Sequence, residues 1–162
     1  MIVQTDSNWP MGCAAASAPV AVFDNAGQDC CARSRILVER SVFDRFLELL
    51  EPAVKGVKVT APGEDGAEMG PLISAGQRTS VRSFVEDAAE PVDVAFRGEA
   101  PSGAGFWYPA TVVLPRTADD RVWREEVFGP VVAVMPFADE TEAIAMANDT
   151  EYGLSGSIWT RD

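Results

Sequence analysis

The chain has 162 residues, 47% of them hydrophobic and 23% charged, and carries a formal net charge of −12. A chain of this size and composition is globular, fits one domain, and buries roughly 70% of the surface its unfolded form exposes. Its 13 Lys and Arg form no basic cluster, which sets nucleic acid aside as a partner, because a phosphate backbone would meet like charge. There is no histidine, so Ser-His-Asp and Cys-His nucleophiles are excluded. The three cysteines, Cys13, Cys30 and Cys31, are no disulfide framework, and free thiols point to a reducing, cytoplasmic compartment. Bunched cysteines without histidine also argue against a metal site. No apolar run approaches the ~18 residues of a membrane span, and the N-terminus lacks the pattern of a signal peptide.

In chain order, residues 1–13 show no period. Ala14 to Phe23 is small and apolar, either a helix interrupted near Pro19 or a helix entering the turn that follows. Arg35 to Glu39 reads as a strand. Ser41 is placed to cap a helix whose Val42, Phe43, Phe46, Leu47 and Leu50 recur at helical spacing, and Pro52 should end or kink it. Val57 to Val59 is extended, and Pro62 to Gly70 is a loop rich in Gly and acid. Gln77 to Ala89 has a helical apolar face. Val92 to Phe96 alternates as a strand, the SGAG of residues 102–105 is a hairpin turn, and Tyr108 to Leu114 is the next strand. Asp119 to Glu126 forms a short helix, Val131 to Phe137 a buried strand, Thr141 to Asn148 a helix, and Leu154 to Trp159 a last strand. Alternating strands and helices predict an α/β fold with a mostly parallel sheet.

Two stretches bear on chemistry. FDNAGQDCCARSR, residues 23–35, places Cys30 beside Cys31 and near Arg33 and Arg35. A thiol becomes a nucleophile as its thiolate, and a nearby cation favours that form. On spacing alone, two small buried hydrophobes are the simpler account of such a pair. EEVFGPV, residues 125–131, sets two carboxylates before an aromatic, Gly-Pro and a strand. A glutamate at the mouth of a strand can hold a ribose diol, and a solvated helix end is the plainer alternative.

Taken together and in order, these stretches resemble the aldehyde dehydrogenase superfamily. Phe23, Asn25, Gly27, Gln28, Cys30, Ala32 and Arg35 match its F-x-N-x-G-Q-x-C-x-A-x-x-R pattern. Glu125, Glu126, Phe128, Gly129 and Pro130 match E-E-x-F-G-P. MGPLI at 69–73, GFWYPATV at 105–112 and ANDTEYGLSGSIWTRD at 147–162 resemble further landmarks. The resemblance covers residues 14–162 and implies a partial catalytic domain, with residues 1–13 outside it. It implies that Cys30 attacks a small aldehyde and that hydride passes from the thiohemiacetal to NAD or NADP. Water then releases the acid from a thioester. It assigns the Cys30 backbone N–H to the oxyanion, Glu126 to the nicotinamide ribose, Phe128 to the nicotinamide and Gln77 to the adenosine side. Cys31 becomes a packing residue.

The family's dinucleotide-binding domain, its general-base glutamate and its oxyanion asparagine lie upstream of this region, and its P-F-G-G-like motif and oligomerisation strand lie downstream. None has a counterpart in these 162 residues, so the expectation is an oxidoreductase site with little or no turnover by itself. The alternative is a non-catalytic α/β module that pairs with a full-length relative.

Overall fold

The computed structural model describes residues 1–4, 8–88 and 92–160. In chain order it comprises β1 (Ile2–Gln4), α1 (Asn8–Phe23), β2 (Arg35–Glu39), α2 (Phe43–Lys55) and α3 (Ala75–Val85). There follow β3 (Asp93–Arg97), β4 (Thr111–Leu114), α4 (Arg121–Arg124), β5 (Val131–Phe137), α5 (Glu140–Asn148) and β6 (Ile158–Thr160). The strands form one six-stranded sheet in the order β3-β4-β5-β2-β1-β6. All neighbours run parallel except β3 and β4, which are antiparallel. The α/β class and the mostly parallel sheet expected from sequence are both present.

The inner strands are apolar on both faces, as strands covered by helices must be. Ile36, Leu37 and Val38 of β2 and Val131 to Val134 of β5 are buried. Helix α1 packs on α2, presenting Met11, Ala14, Ala15, Ala18 and Val22, all buried and at helical spacing. The small side chains allow close approach. Phe46, Leu50 and Val54 form the buried face of α2.

Several boundaries differ from the sequence-based expectation, each for a local reason. Helix α1 runs through Pro19 and enters the following turn. Helix α2 starts at Phe43 after a short 3-10 turn, with Val42 rather than Ser41 at its N-cap. The Ser41 hydroxyl donates to the Glu39 carboxylate instead, at 2.9 Å. Pro52 lies inside α2 and does not end it. It removes one amide donor, but its own carbonyl still accepts from Gly56 at 2.9 Å, so the last turn closes. Ser74 caps α3 by accepting from the Gln77 amide at 3.0 Å, and α3 ends at Val85; Ala89 lies outside the described residues. Strand β4 starts at Thr111, because Pro109 has no N–H to give a ladder. Strand β6 begins only at Ile158, and the segment before it, with Gly153 and Gly156, is irregular.

β1 was not expected. At three residues it is too short to show a period, yet it pairs with both β2 and β6. Val3 is fully buried, and the Met1 carbonyl accepts from Leu37 at 2.7 Å. Among the described residues, no helix is long and apolar enough to cross a membrane.

Gly12, inside α1, has open space where a Cβ would project. Gly12→Ala is therefore expected to stabilise the chain by up to about 1 kcal/mol through helix propensity alone, read as a shift in the urea unfolding midpoint. A loss of stability would mean that α1 is closed to a methyl group there.

Candidate active site

The two signature stretches are far apart in sequence but lead into neighbouring strands. Cys30 lies shortly before β2, and Phe128 shortly before β5. β2 and β5 pair in parallel with Arg35 opposite Ala133, so the two lead-in loops lie side by side. Here they face a pocket of about 660 Å³ at the amino ends of β1, β2, β5 and β6. Cys30, Glu126 and Phe128 all line it. Parallel sheets more often bind ligands at their carboxyl ends.

The loops touch through backbone. The Cys30 loop leaves α1 by a 3-10 turn in which Asn25, Ala26 and Gly27 have φ of 51°, 55° and 68°. A Cβ on Gly27 would collide with the Gly129 carbonyl, and one on Gly129 would collide with Val81. Phe128 has φ of 51°, in a region that costs a residue with a side chain about 1–2 kcal/mol. Two glutamines hold these conformations. The Gln28 amide accepts from the Ile73 N–H at 3.0 Å and donates to the Asn25 carbonyl at 3.2 Å. The Gln77 amide donates to the Phe128 carbonyl at 2.7 Å. Gln77 thus stands behind the pocket wall, outside the lining residues, with its side chain bonded to the loop that carries Phe128.

Cys30 and Cys31 are both exposed, with sulfurs 4.0 Å apart. The expected activation by Arg33 and Arg35 is not what the geometry provides. Arg33 donates to the Cys31 carbonyl at 3.1 Å. Arg35 lies 5.4 Å from the ring centroid of buried Trp123, with its pKa lowered first by burial and then by Arg124. The Cys30 thiol is pushed up from its ordinary range, first by its hydrogen bond with Cys31, then by the charge of Cys31, by desolvation and by Asp29. Asp29 is fixed beside both sulfurs by the Cys31 N–H, which donates to its carboxylate at 2.8 Å.

The two glutamates differ. Glu125 is paired with Arg121 at 2.9 Å, whereas Glu126 is exposed and has no hydrogen-bond or ionic partner among the described residues. The motifs did not show how the rest of the wall is held together. Arg124 bridges Asp149 at 2.8 Å and Asp119 at 3.1 Å, tying α4 to the end of α5. The Ser155 hydroxyl donates to the Cys31 carbonyl at 3.3 Å, closing the segment before β6 over the cysteine loop. The Y-G-L-S run marks that segment in sequence, but strand periodicity hid it. The buried Trp123 indole N–H has no acceptor among the described residues.

The model of the aldehyde dehydrogenase family matches residues 1–162. The chain belongs to the aldehyde dehydrogenase family. Residues 1–13, expected from sequence to lie outside the family pattern, fall within the match. An aldehyde dehydrogenase of Paenarthrobacter nicotinovorans is 41% identical over 150 residues, covering 92% of this chain and 33% of the relative. A chloroplastic betaine aldehyde dehydrogenase of Atriplex hortensis is 38% identical over 144 residues, covering 87% of this chain and 29% of the relative. Among solved structures, an NAD+ complex of aldehyde dehydrogenase from Bacillus cereus superposes with a TM-score of 0.89 at 34% identity. It covers 99% of this chain and 33% of that one. Betaine aldehyde dehydrogenase from Staphylococcus aureus, also with NAD+, gives 0.88 at 36%, covering 99% and 32%. The chain thus spans about a third of the length of these relatives.

Two outcomes follow from this geometry. Gly27→Ala combines a left-handed backbone with a backbone collision and should cost about 3 kcal/mol in urea unfolding. Gly103→Ala, with positive φ but open space, should cost only about 1 kcal/mol. Equal losses would show that the Gly27–Gly129 approach is not tight. For Cys30, a raised pKa means mostly neutral thiol near pH 7. Iodoacetamide labelling of Cys30, mapped by mass spectrometry, should therefore be slow there and accelerate as pH rises past the ordinary thiol range. Cys31→Ala and Asp29→Asn should each move that rise to lower pH. An unmoved profile would exonerate both neighbours.

Proposed function

We propose that this chain carries the nucleophile and the nicotinamide-facing wall of an NAD- or NADP-dependent site that oxidises a small aldehyde to a carboxylate. The observation that carries the reading is that Cys30, Glu126 and Phe128 line one pocket. The pocket suits the nicotinamide end of the cofactor: Glu126 offers a carboxylate that no group among the described residues occupies, and Phe128 an aromatic face 39% exposed. Glu126 would hold the ribose diol, Phe128 would lie against the nicotinamide, and the bound cofactor would supply the hydride acceptor. Gln77, through the Phe128 carbonyl, positions that wall; a direct contact on the adenosine side would have to compete with this bond.

On this reading the Cys30 sulfur adds to the aldehyde carbon to give a thiohemiacetal, and the Cys30 backbone N–H donates to its oxygen. Loss of hydride leaves a thioester on Cys30. Water attacks the acyl carbon, and the carboxylate departs as the thiol is restored. The first step needs a thiolate, and the local charges oppose it. We therefore expect at most very slow turnover from the 162-residue chain, short of an assisted site by at least the roughly 10²–10⁴ that acid–base help contributes.

The test is NAD(P)H formation by the purified chain across a panel of aldehydes with both cofactors. Cys30→Ser should abolish whatever product the parent forms, and Cys31→Ala should raise the rate at pH 7 by increasing thiolate. Product that survives Cys30→Ser would sink the reading. No product from a folded sample, even at high pH, would favour the interaction module instead, to which exposed Leu154, before β6, and Ile158, within it, would offer apolar surface.

A further inference from the structure

We propose that Asp29, Cys30 and Cys31 form a chelating site for a thiophilic divalent cation of the zinc and cadmium class, set at the rim of the pocket. This reverses the sequence-based expectation of no metal site, which rested on the absence of histidine and the bunching of the cysteines. Bunching is what gives the pair its bite. The two sulfurs and a carboxylate oxygen all lie within 4.8 Å of one another, and all three side chains are exposed. In a tetrahedral site with metal–sulfur bonds of about 2.3 Å, two sulfurs stand roughly 3.8 Å apart. The observed separation is 4.0 Å, so little rotation brings both onto one ion.

The third donor is already held in place. The Cys31 N–H donates to Asp29 Oδ1 at 2.8 Å, which holds the carboxylate beside the two sulfurs. Two thiolates and a carboxylate select a soft or borderline ion over magnesium, calcium or manganese. The fourth position of a tetrahedron falls to water. Three anionic donors exceed a divalent ion by one charge, a modest excess at an exposed site where solvent and salt screen it. Binding exchanges two thiol protons for the metal and needs no oxidant.

An ion held here occupies the Cys30 sulfur and would block its attack on an aldehyde. That consequence rests on the reading of Cys30 as the nucleophile; the site itself does not, and neither does its test. Cadmium chloride is titrated into the full chain in the absence of aldehyde and cofactor, and the thiolate-to-metal absorbance in the near ultraviolet is followed. The parent should take up one ion per chain. Cys31→Ser should weaken binding at least about tenfold, since one of two soft donors is lost, while Cys13→Ser should leave it unchanged. Asp29→Asn should weaken it by less. Circular dichroism checks that each variant is folded. Saturating cadmium should also protect Cys30 and Cys31, but not Cys13, from iodoacetamide. The proposal is overturned if Cys31→Ser binds as tightly as the parent, if Cys13→Ser loses the signal, or if Cys30 labels at an undiminished rate under saturating cadmium.

Discussion

The close approach of the Gly27 and Gly129 backbones is the constraint on which the pocket depends. Gly27 opens the loop that leads into β2, Gly129 lies just before β5, the parallel neighbour of β2, and neither glycine has room for a methyl group. Because the chains touch there, the sulfur of Cys30 and the side chains of Glu126 and Phe128 must share one cavity. The cost is local strain. Asn25, Ala26 and Phe128 all have positive φ without being glycine, and strain of this kind persists only where surrounding structure over-determines it. Gln28 and Gln77 provide that over-determination by bonding backbone groups of neighbouring segments. Val81 backs Gly129 from α3, so the helix capped by Ser74 supports the site as well as the sheet.

The sheet order decides which other segments can reach the pocket. β5, β2, β1 and β6 are consecutive and parallel, so the pieces of chain entering them converge on one edge. This is why Met1 and Ile2, Ser34 and Arg35, Gly129, and Ser157 and Ile158 all appear in one wall. The ion pairs of Arg124 with Asp149 and Asp119 are partly exposed and add little stability on their own. Their effect is to orient the turn after α5, whose continuation carries Ser155 to the Cys31 carbonyl.

Much of the fold was legible in sequence because the inner strands and longer helices have strong periods. β2 and β5 appear with the boundaries their β-branched runs predict. The failures cluster where period carries no information. β1 is three residues long and owes its pairing to neighbours on both sides. The apolar Leu154 sets the expected start of β6 too early, although Leu154 is largely exposed and lies in the irregular segment before the strand. Pro52 does not end α2, because a proline near the end of a helix forfeits one donor while the carbonyls behind it still find partners. At the site, the motifs located Cys30, Glu126 and Phe128, but spacing could not reveal what surrounds them. The turn of Arg35 toward Trp123, and of Gln77 toward the Phe128 carbonyl, are tertiary outcomes.

The surroundings of Cys30 separate placement from activation. The fold brings the sulfur into the pocket and leaves it exposed, yet its immediate neighbours, a second thiol and a carboxylate, favour the protonated form. Arginines close in sequence do not offset them, because one is held by a backbone carbonyl and the other lies against an indole ring. The features that hold a proton on Cys30 are those that would favour a soft cation in its place, because electron-rich donors converge there. Cys31, which sequence patterns make a bystander, therefore bears on both the proton and the proposed metal. A neighbouring residue with no thiol would remove the hydrogen bond and the second soft ligand together, so the reactivity of the Cys30 sulfur and its proposed affinity for metal both depend on that side chain.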